Sequence, residues 1–217
     1  MRQLLHGIRI FQHRVFPACR EQFEKLANGQ KPPTLLITCS DSRIVPDLLT
    51  QTEPGELFVL RNAGNLVPPY GTDSPSGEAA TVEFAVEVLG VQDIVVCGHS
   101  DCGAMKGLLT PNSLEKLPAV RDWLQFAEKS RDTALQGKLP NGEFDKQMLV
   151  DTIKANVKVQ LEHLRTYPAV QAAEERGDLE LHGWYYQFEN GEVSQLDEET
   201  DKYVSILDVL TKETSVV

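Results

Sequence analysis

The chain has 217 residues, 41% of them apolar, and a formal net charge of −11 at pH 7. This length allows one domain with a sizeable core, and no apolar run approaches the roughly 18 residues that a membrane span needs. Because no basic cluster offsets the negative charge, the composition disfavours nucleic-acid and anionic-membrane partners. The four cysteines are too few for a disulfide scaffold, so we expect a cytoplasmic protein with buried or metal-bound thiols.

The N-terminal segment predicts two helices. Apolar residues at positions 4, 5, 8, 11 and 15 follow helical spacing, Pro17 ends or restarts that pattern, and a second helix closes at Gly29. Residues 1–28 lack a continuous apolar stretch and a small-residue cleavage site. We therefore expect a helical arm that belongs to the fold, not a secretory signal.

Three short apolar runs predict buried parallel strands. They are TLLIT at 34–38, ELFVLR at 56–61 and DIVVC at 93–97. The segment GEAATVEFAVEVLG (77–90) between the last two runs has one apolar helical stripe and a stop at Gly90. This alternation predicts an α/β fold in which helices flank a central, mainly parallel β-sheet.

Beyond residue 105 the sequence is predicted to be mainly helical. Its helices are expected over residues 117–137, 144–167 and 168–177. The segment LELHGWYYQFENGEV (179–193) then predicts a strand that turns at Asn190-Gly191 into an antiparallel hairpin or edge strand.

We expect a single domain over 1–217 because no linker or repeat interrupts the chain. Its expected parts are the N-terminal helical arm (1–28), an α/β core with the candidate site (34–105), and a helical region with the edge strand (106–217).

Cysteine and histidine side chains follow two of the predicted strands directly. Cys39 follows the first in ITCSDSRIVPD, and His99 and Cys102 follow the third in VVCGHSDCGAM. Functional groups collect beyond the carboxyl ends of parallel strands, so the three meet if these strands are neighbours. Two thiolates and one imidazole form a catalytic zinc set with an open fourth position. The alternatives are buried core cysteines, or a closed structural site with Asp41 as fourth ligand.

Asp41 and Arg43 lie two residues apart in the turn CSDSR. An arginine can hold a carboxylate bidentately, which fixes its orientation and keeps it ionised. Next to a metal ion, such a carboxylate could accept the proton of a bound hydroxide and orient its oxygen. The alternative is a turn-capping aspartate with a surface arginine.

The two motifs together resemble those of the β-class carbonic anhydrases. CSDSR at 39–43 is followed by GHSDCGAMKG at 98–107, and the similarity continues through RNAGNLVPPYG, EAATVEFAVEVLG, LPAVRDWLQFA and LHGWYYQFENG. It covers nearly the whole chain and is strongest for the plant-like branch and the bacterial branch associated with cyanate operons. The resemblance implies the β-carbonic anhydrase fold and reversible hydration of carbon dioxide to bicarbonate.

The resemblance also implies the cofactor and the roles of individual residues. One Zn²⁺ per chain would be held by Cys39, His99 and Cys102, and a zinc-bound hydroxide would be oriented by the dyad of Asp41 and Arg43. The family further implies substrate-binding residues in a narrow apolar pocket at a dimer interface, which here are Gln30, Phe58, Ala63, Phe84 and Gly103.

Two positions depart from the family pattern. Phe84 stands where the family usually has a tyrosine, so any hydrogen bond from that hydroxyl is missing. Leu36 stands three residues before Cys39, where one branch has a tryptophan that takes part in a bicarbonate-stabilised inactive form with Asp41 on zinc. We therefore expect the open form, with water as the fourth ligand and no bicarbonate regulation of that kind.

A homodimer or higher homo-oligomer is implied as well, with the N-terminal helices packed on a partner subunit. Three other functions are alternatives: hydrolysis of carbonyl sulfide or carbon disulfide on the same zinc site, a non-catalytic zinc-binding scaffold subunit, and a thiol redox protein. The pair of Asp41 and Arg43 disfavours the scaffold, and the lack of a C-x-x-C motif disfavours the redox role.

Overall fold

A computed structural model describes residues 1–72, 76–135 and 144–214. The strands within these residues are β1 (Thr34–Cys39), β2 (Leu57–Asn62), β3 (Asp93–His99), β4 (Glu180–Tyr186), β5 (Val193–Asp197) and β6 (Lys202–Ser205). They form one sheet in the order β2-β1-β3-β4-β5-β6. The strands β2, β1, β3 and β4 are parallel, and β5 and β6 are antiparallel. The predicted mainly parallel α/β sheet is confirmed.

Helices occupy most of the remaining described chain. In chain order they are α1 (Arg2–Ile10), α2 (Phe16–Leu26), α3 (Pro46–Thr50), α4 (Gly77–Glu83), α5 (Gly103–Leu109), α6 (Pro118–Leu124), α7 (Glu128–Leu135), α8 (Lys146–Leu164), α9 (Pro168–Arg176) and α10 (Ile206–Thr214). None of the helices in the described ranges has both the length and the apolar character needed to cross a bilayer.

Helix α8 approaches the parallel part of the sheet closely because two strand residues have no side chain there. A Cβ atom on Gly98 of β3 would lie 2.9 Å from Val157 Cγ2, and one on Gly183 of β4 would lie 2.8 Å from Val157 Cγ1. Val157 and Leu161 of α8 belong to the main hydrophobic core together with Ile94 of β3. This packing holds the strands whose ends carry the candidate site.

Three predicted helices differ in detail from the structure. A π-helical turn over Phe11–Val15 joins α1 to α2, and Pro17 is the second residue of α2, so it does not interrupt the helical path. Another π-helical turn over Phe84–Leu89 continues α4. The helix predicted over 117–137 is divided by a 3₁₀ turn, Gln125–Ala127; its last two residues lie outside the described ranges.

The C-terminal end of the sheet contains more than was predicted. The strand that turns near Asn190-Gly191 does continue as the antiparallel β5, with Gly191 at a φ of 76°. A further strand, β6, pairs with β5 and forms the edge, and α10 follows it. Because β6 has only four residues, its own sequence carries too short a pattern to predict it.

Candidate metal centre

The sheet order brings together the three predicted metal ligands. Strands β1 and β3 are parallel neighbours, so Cys39 at the end of β1 lies beside His99 at the end of β3. Cys102 immediately precedes α5, in the turn that follows β3. The ligand atoms of the three side chains lie within 4.8 Å of one another, and all three residues are buried.

The ring of His99 presents one nitrogen to this cluster without a protein partner. Its Nδ1 lies 2.8 Å from the carbonyl oxygen of Ser100, so Nδ1 carries the proton and donates it. Its Nε2 is buried and has no hydrogen-bond partner in the described part of the chain. A buried polar atom without a partner is costly and rare. A cation between the imidazole and the thiols would satisfy it.

The two sulfur atoms form a pair suited to a divalent cation. A hydrogen bond from the Cys102 thiol lowers the pKa of Cys39, and the same contact raises the pKa of Cys102. The backbone N–H of Gly64 also donates to Cys39 Sγ at 3.4 Å, which stabilises negative charge there. Zinc bonds of about 2.3 Å to sulfur and 2.1 Å to nitrogen place tetrahedral donors roughly 3.5–3.8 Å apart. The cluster therefore fits Zn²⁺.

Asp41, two residues after Cys39, is held by Arg43. Arg43 Nε donates to Asp41 Oδ1 at 2.9 Å, and Nη2 donates to Oδ2 at 2.8 Å. These hydrogen bonds hold the pKa of Asp41 well below its usual range, so the carboxylate is ionised at neutral pH. Arg61 of β2 fixes the turn by donating to the carbonyl oxygens of Cys39 at 3.0 Å and Asp41 at 2.7 Å.

Arg43 also contacts two side chains that the sequence did not single out. Arg43 Nη1 donates to Asp101 Oδ2 at 3.0 Å, and the guanidinium carbon lies 4.5 Å from the ring centre of Phe188. The Phe188 ring centre also lies 5.0 Å from that of His99. The place of Asp101 within HSDC was an available signal. Phe188 offered none, because its contact depends on how the residues after β4 fold back.

Two of the predicted substrate-binding residues lie next to the cluster in the same chain. Ala63 is exposed, accepts a hydrogen bond on its carbonyl oxygen from Trp123 Nε1 at 2.8 Å, and precedes Gly64, which contacts Cys39. Gly103 is exposed at the start of α5, and a Cβ atom there would meet nothing within 4 Å. Both positions leave open space beside the ligands.

The other three predicted substrate-binding residues lie elsewhere in the chain. The ring centres of Phe58 and Phe84 are 6.1 Å apart. Phe58 pairs with Leu35, four residues before Cys39 on β1, which corresponds to about 13 Å along the strand. Gln30 is exposed and lines a groove at the end of α2, beside Leu26, Pro54 and Gly55. One chain therefore does not bring these residues to its own cluster.

A second group of potential ligands lies at the opposite end of the sheet. Asp93, Glu180 and His182 have ligand atoms within 4.8 Å of one another at the starts of β3 and β4. His182 Nε2 lies 2.8 Å from Asp93 Oδ1. This hydrogen bond accounts for the arrangement without a cation.

Comparison with known proteins places the chain in one family. The carbonic anhydrase family model matches residues 34–193. A carbonic anhydrase from Pseudomonas aeruginosa is 49% identical over 206 residues, covering 95% of this chain and 92% of that protein. The solved β-carbonic anhydrase CcaA has a TM-score of 0.89 and 46% identity, over 94% of this chain and 91% of that one. Tetrameric β-carbonic anhydrases from Sordaria macrospora have a TM-score of 0.71 and 29% identity, over 90% and 92%. This chain belongs to the β-class carbonic anhydrases and is an enzyme of that family.

Proposed function

We propose that the chain catalyses the reversible hydration of carbon dioxide to bicarbonate at a zinc ion held by Cys39, His99 and Cys102. The observation that carries this proposal is the buried, unpartnered Nε2 of His99, which faces two thiols in a chain of this family. When bound, zinc is a Lewis acid that lowers the pKa of water to about 7, an effect for which carbonic anhydrases are the standard example.

Asp41 is the catalytic carboxylate in this proposal. Arg43 occupies one side of both carboxylate oxygens and fixes the plane of the group. The remaining lone pairs of Asp41 can accept a hydrogen bond from the reacting water and orient its oxygen towards the substrate carbon. Because the pKa of Asp41 is lowered by the hydrogen bonds from Arg43, the carboxylate accepts this hydrogen bond while it stays ionised.

A second copy of the chain completes the substrate pocket. Carbon dioxide is small and apolar, so an apolar pocket that excludes water suits it. Ala63 and Gly103 come from the chain that holds the metal, whereas Gln30, Phe58 and Phe84 come from the partner. The support is the separation of about 13 Å along the strand between the levels of Phe58 and Cys39, together with the 6.1 Å contact of Phe58 with Phe84.

The N-terminal helices support this assembly. No residue of α1 is buried within the single chain, and the side chains of Leu4 and Ile8 are 67% and 52% exposed. Such an apolar face marks a surface that another protein covers. The tetrameric relatives from Sordaria macrospora support a homo-oligomer. The four unpaired cysteines support a cytoplasmic location, because the thiols of cytoplasmic proteins stay reduced.

The substitution Asp41→Ala tests the mechanism. We expect the variant to keep one zinc per chain by elemental analysis and to lose carbon dioxide hydration by at least about 100-fold in stopped-flow assays, as for the loss of a proton-handling group. Asp47→Ala, on the exposed start of α3, is the matched control and should keep wild-type turnover. Full activity of Asp41→Ala would remove this carboxylate from the mechanism, and activity of wild-type protein without zinc would contradict the metal site.

A further inference from the structure

The guanidinium of Arg43 is shared between two carboxylates. Its Nε and Nη2 each donate a hydrogen bond to Asp41, while Nη1 donates to Asp101 Oδ2 at 3.0 Å. Nη2 also lies 3.4 Å from the carbonyl oxygen of Asp101. Asp101 therefore contacts the Nη1–Nη2 edge of the guanidinium, next to the Nε–Nη2 edge that Asp41 occupies.

The turn between β3 and α5 places Asp101 in this position. Asp101 lies between His99 and Cys102 and has a φ of 59°, a left-handed conformation that aspartate, asparagine and glycine tolerate best. Its carboxylate also forms an ion pair with Lys106, one turn into α5. The Arg43 contact, in turn, connects the loop that carries the two proposed metal ligands to the loop that carries Cys39 and the dyad.

Arg43 needs this second contact because its side chain is 47% exposed. A long, half-exposed side chain that is held only through Asp41 could turn with that carboxylate. The Asp101 contact on the neighbouring edge and the Phe188 ring at 4.5 Å restrict the guanidinium to one plane. The four groups Asp41, Arg43, Asp101 and Lys106 alternate in charge along this chain of contacts.

We propose that Asp101 is a positioning residue for the reaction, because it holds the Arg43 guanidinium in the orientation that clamps Asp41. The inference rests on the proposed role of Asp41 as the catalytic carboxylate. Asp101 acts only through Arg43 and need not touch the substrate.

The substitution Asp101→Gly removes the carboxylate and keeps the left-handed backbone unstrained. We expect kcat to fall about tenfold with an unchanged KM, a size typical for loss of a supporting contact around a metal site. Zinc should stay at one per chain, and the thermal midpoint should stay at the wild-type value. A crystal structure of the variant should show Arg43 released from its bidentate contact with Asp41.

Two matched variants separate positioning from a role in the turn. Asp101→Asn keeps the left-handed backbone and an oxygen acceptor for Arg43, so its kcat should stay within about threefold of wild type, in the range of one neutral hydrogen bond. Lys106→Met removes the other partner of Asp101 and leaves the Arg43 contact, so it should turn over as wild type does.

The proposal is overturned if Asp101→Gly keeps wild-type kcat, or if it loses activity while Arg43 still clamps Asp41. Loss of zinc or of thermal stability in that variant, or an Asp101→Asn variant as impaired as Asp101→Gly, would also overturn it. The Asp41→Ala variant distinguishes a failure of this proposal from a failure of the proposed function. If that variant is inactive and Asp101→Gly is fully active, only the positioning role fails.

Discussion

The imidazole of His99 is oriented by a carbonyl oxygen one residue further along the chain. The sequence predicted the ring to be a ligand from its place after a strand, but not which nitrogen faces the thiols. The Ser100 carbonyl oxygen accepts a hydrogen bond from Nδ1–H at 2.8 Å, which leaves Nε2 without a proton and available to a metal ion. At the residue scale, a sequence motif indicates which residue types could bind a metal, and local hydrogen bonds determine which of their atoms face it.

The same distinction applies to the charged residues around the cluster. The spacing of Asp41 and Arg43 predicted a bidentate contact, and the structure has it at 2.9 and 2.8 Å. The catalytic role of the pair stays a prediction. The contact of Arg43 with Asp101 joins residues 58 positions apart, so it depends on the β1–β3 pairing and not on local spacing.

Tyr167 provides a prediction of stability against pH at the residue scale. Its side chain is 1% exposed, its hydroxyl donates to the Pro68 carbonyl oxygen at 2.7 Å, and burial raises its pKa to about 12. Between pH 10 and 12 the unfolded state releases this proton and the folded state keeps it. The free energy of unfolding therefore falls as pH rises, by up to about 1.4 kcal/mol per pH unit from this residue.

The substitution Tyr167→Phe should flatten this alkaline slope in urea unfolding measured from pH 9 to 11.5 at constant protein concentration. It should also lower stability at pH 8, by about 1–3 kcal/mol, because the Pro68 carbonyl loses its partner. Tyr70→Phe is the control, since Tyr70 packs against the Tyr167 ring but is 49% exposed. An unchanged slope in Tyr167→Phe would contradict the raised pKa.

At the scale of elements, the parallel strands were predictable from their apolar runs, and β1 and β3 are buried as expected; β2 is not, because it lies at the edge of the sheet and has no buried residue. β1, β2 and β3 correspond to the runs TLLIT, ELFVLR and DIVVC within one or two residues at either end. The 3₁₀ turn at Gln125–Ala127 was not predictable. There the carbonyl oxygen of Phe126 accepts a hydrogen bond from Gln160 of α8 at 3.1 Å, a contact set by tertiary packing.

Gly183 provides the prediction for how α8 packs on the sheet. A Cβ atom there would lie 2.8 Å from Val157, 3.1 Å from Leu161 and 3.3 Å from Leu196, all in the buried core. We expect Gly183→Ala to destabilise the protein by about 1–3 kcal/mol through overpacking, as measured by chemical denaturation.

Gly77→Ala is the matched control for this substitution. Gly77 begins α4, and a Cβ atom there meets nothing within 4 Å, so the change should be neutral or slightly stabilising. If Gly183→Ala were as stable as Gly77→Ala, the close approach of α8 to the sheet would not depend on the absence of a side chain at position 183.

At the scale of the whole molecule, the separation of the predicted pocket residues is the central feature. Ala63 and Gly103 lie beside the predicted metal ligands, whereas Phe58 of β2 contacts Phe84, in the π-helical turn after α4. A functional pocket made from all four needs two chains. The exposed apolar face of α1 is the surface that we expect the second chain to cover.

The double substitution Leu4→Asp with Ile8→Asp tests this assembly. Charges on the apolar face of α1 should convert the wild-type oligomer to monomers in light scattering coupled to size-exclusion chromatography. The rate of carbon dioxide hydration should fall when the oligomer dissociates, because the partner no longer supplies Phe58 and Phe84. Monomers should still bind one zinc per chain, since all three predicted ligands come from one chain.

The control places the same charges on polar positions of the arm, as Gln3→Asp with Gln12→Asp. This variant should keep the mass and activity of the wild type. A Leu4→Asp, Ile8→Asp variant with the wild-type mass would contradict the expected interface, and an active monomer would contradict a pocket that two chains share.

The amino-acid sequence alone determined the class of sheet, the candidate metal ligands and the family resemblance, because apolar runs and short motifs reflect local chemistry. Tertiary structure alone decided which nitrogen of His99 is free, that Asp101 contacts Arg43, and that Phe58 lies away from its own metal cluster. The free nitrogen of His99 depends on the backbone geometry at the next residue, Ser100, whereas the other two features depend on strand order and register, which join residues far apart in the chain. No local pattern of side chains encodes that pairing.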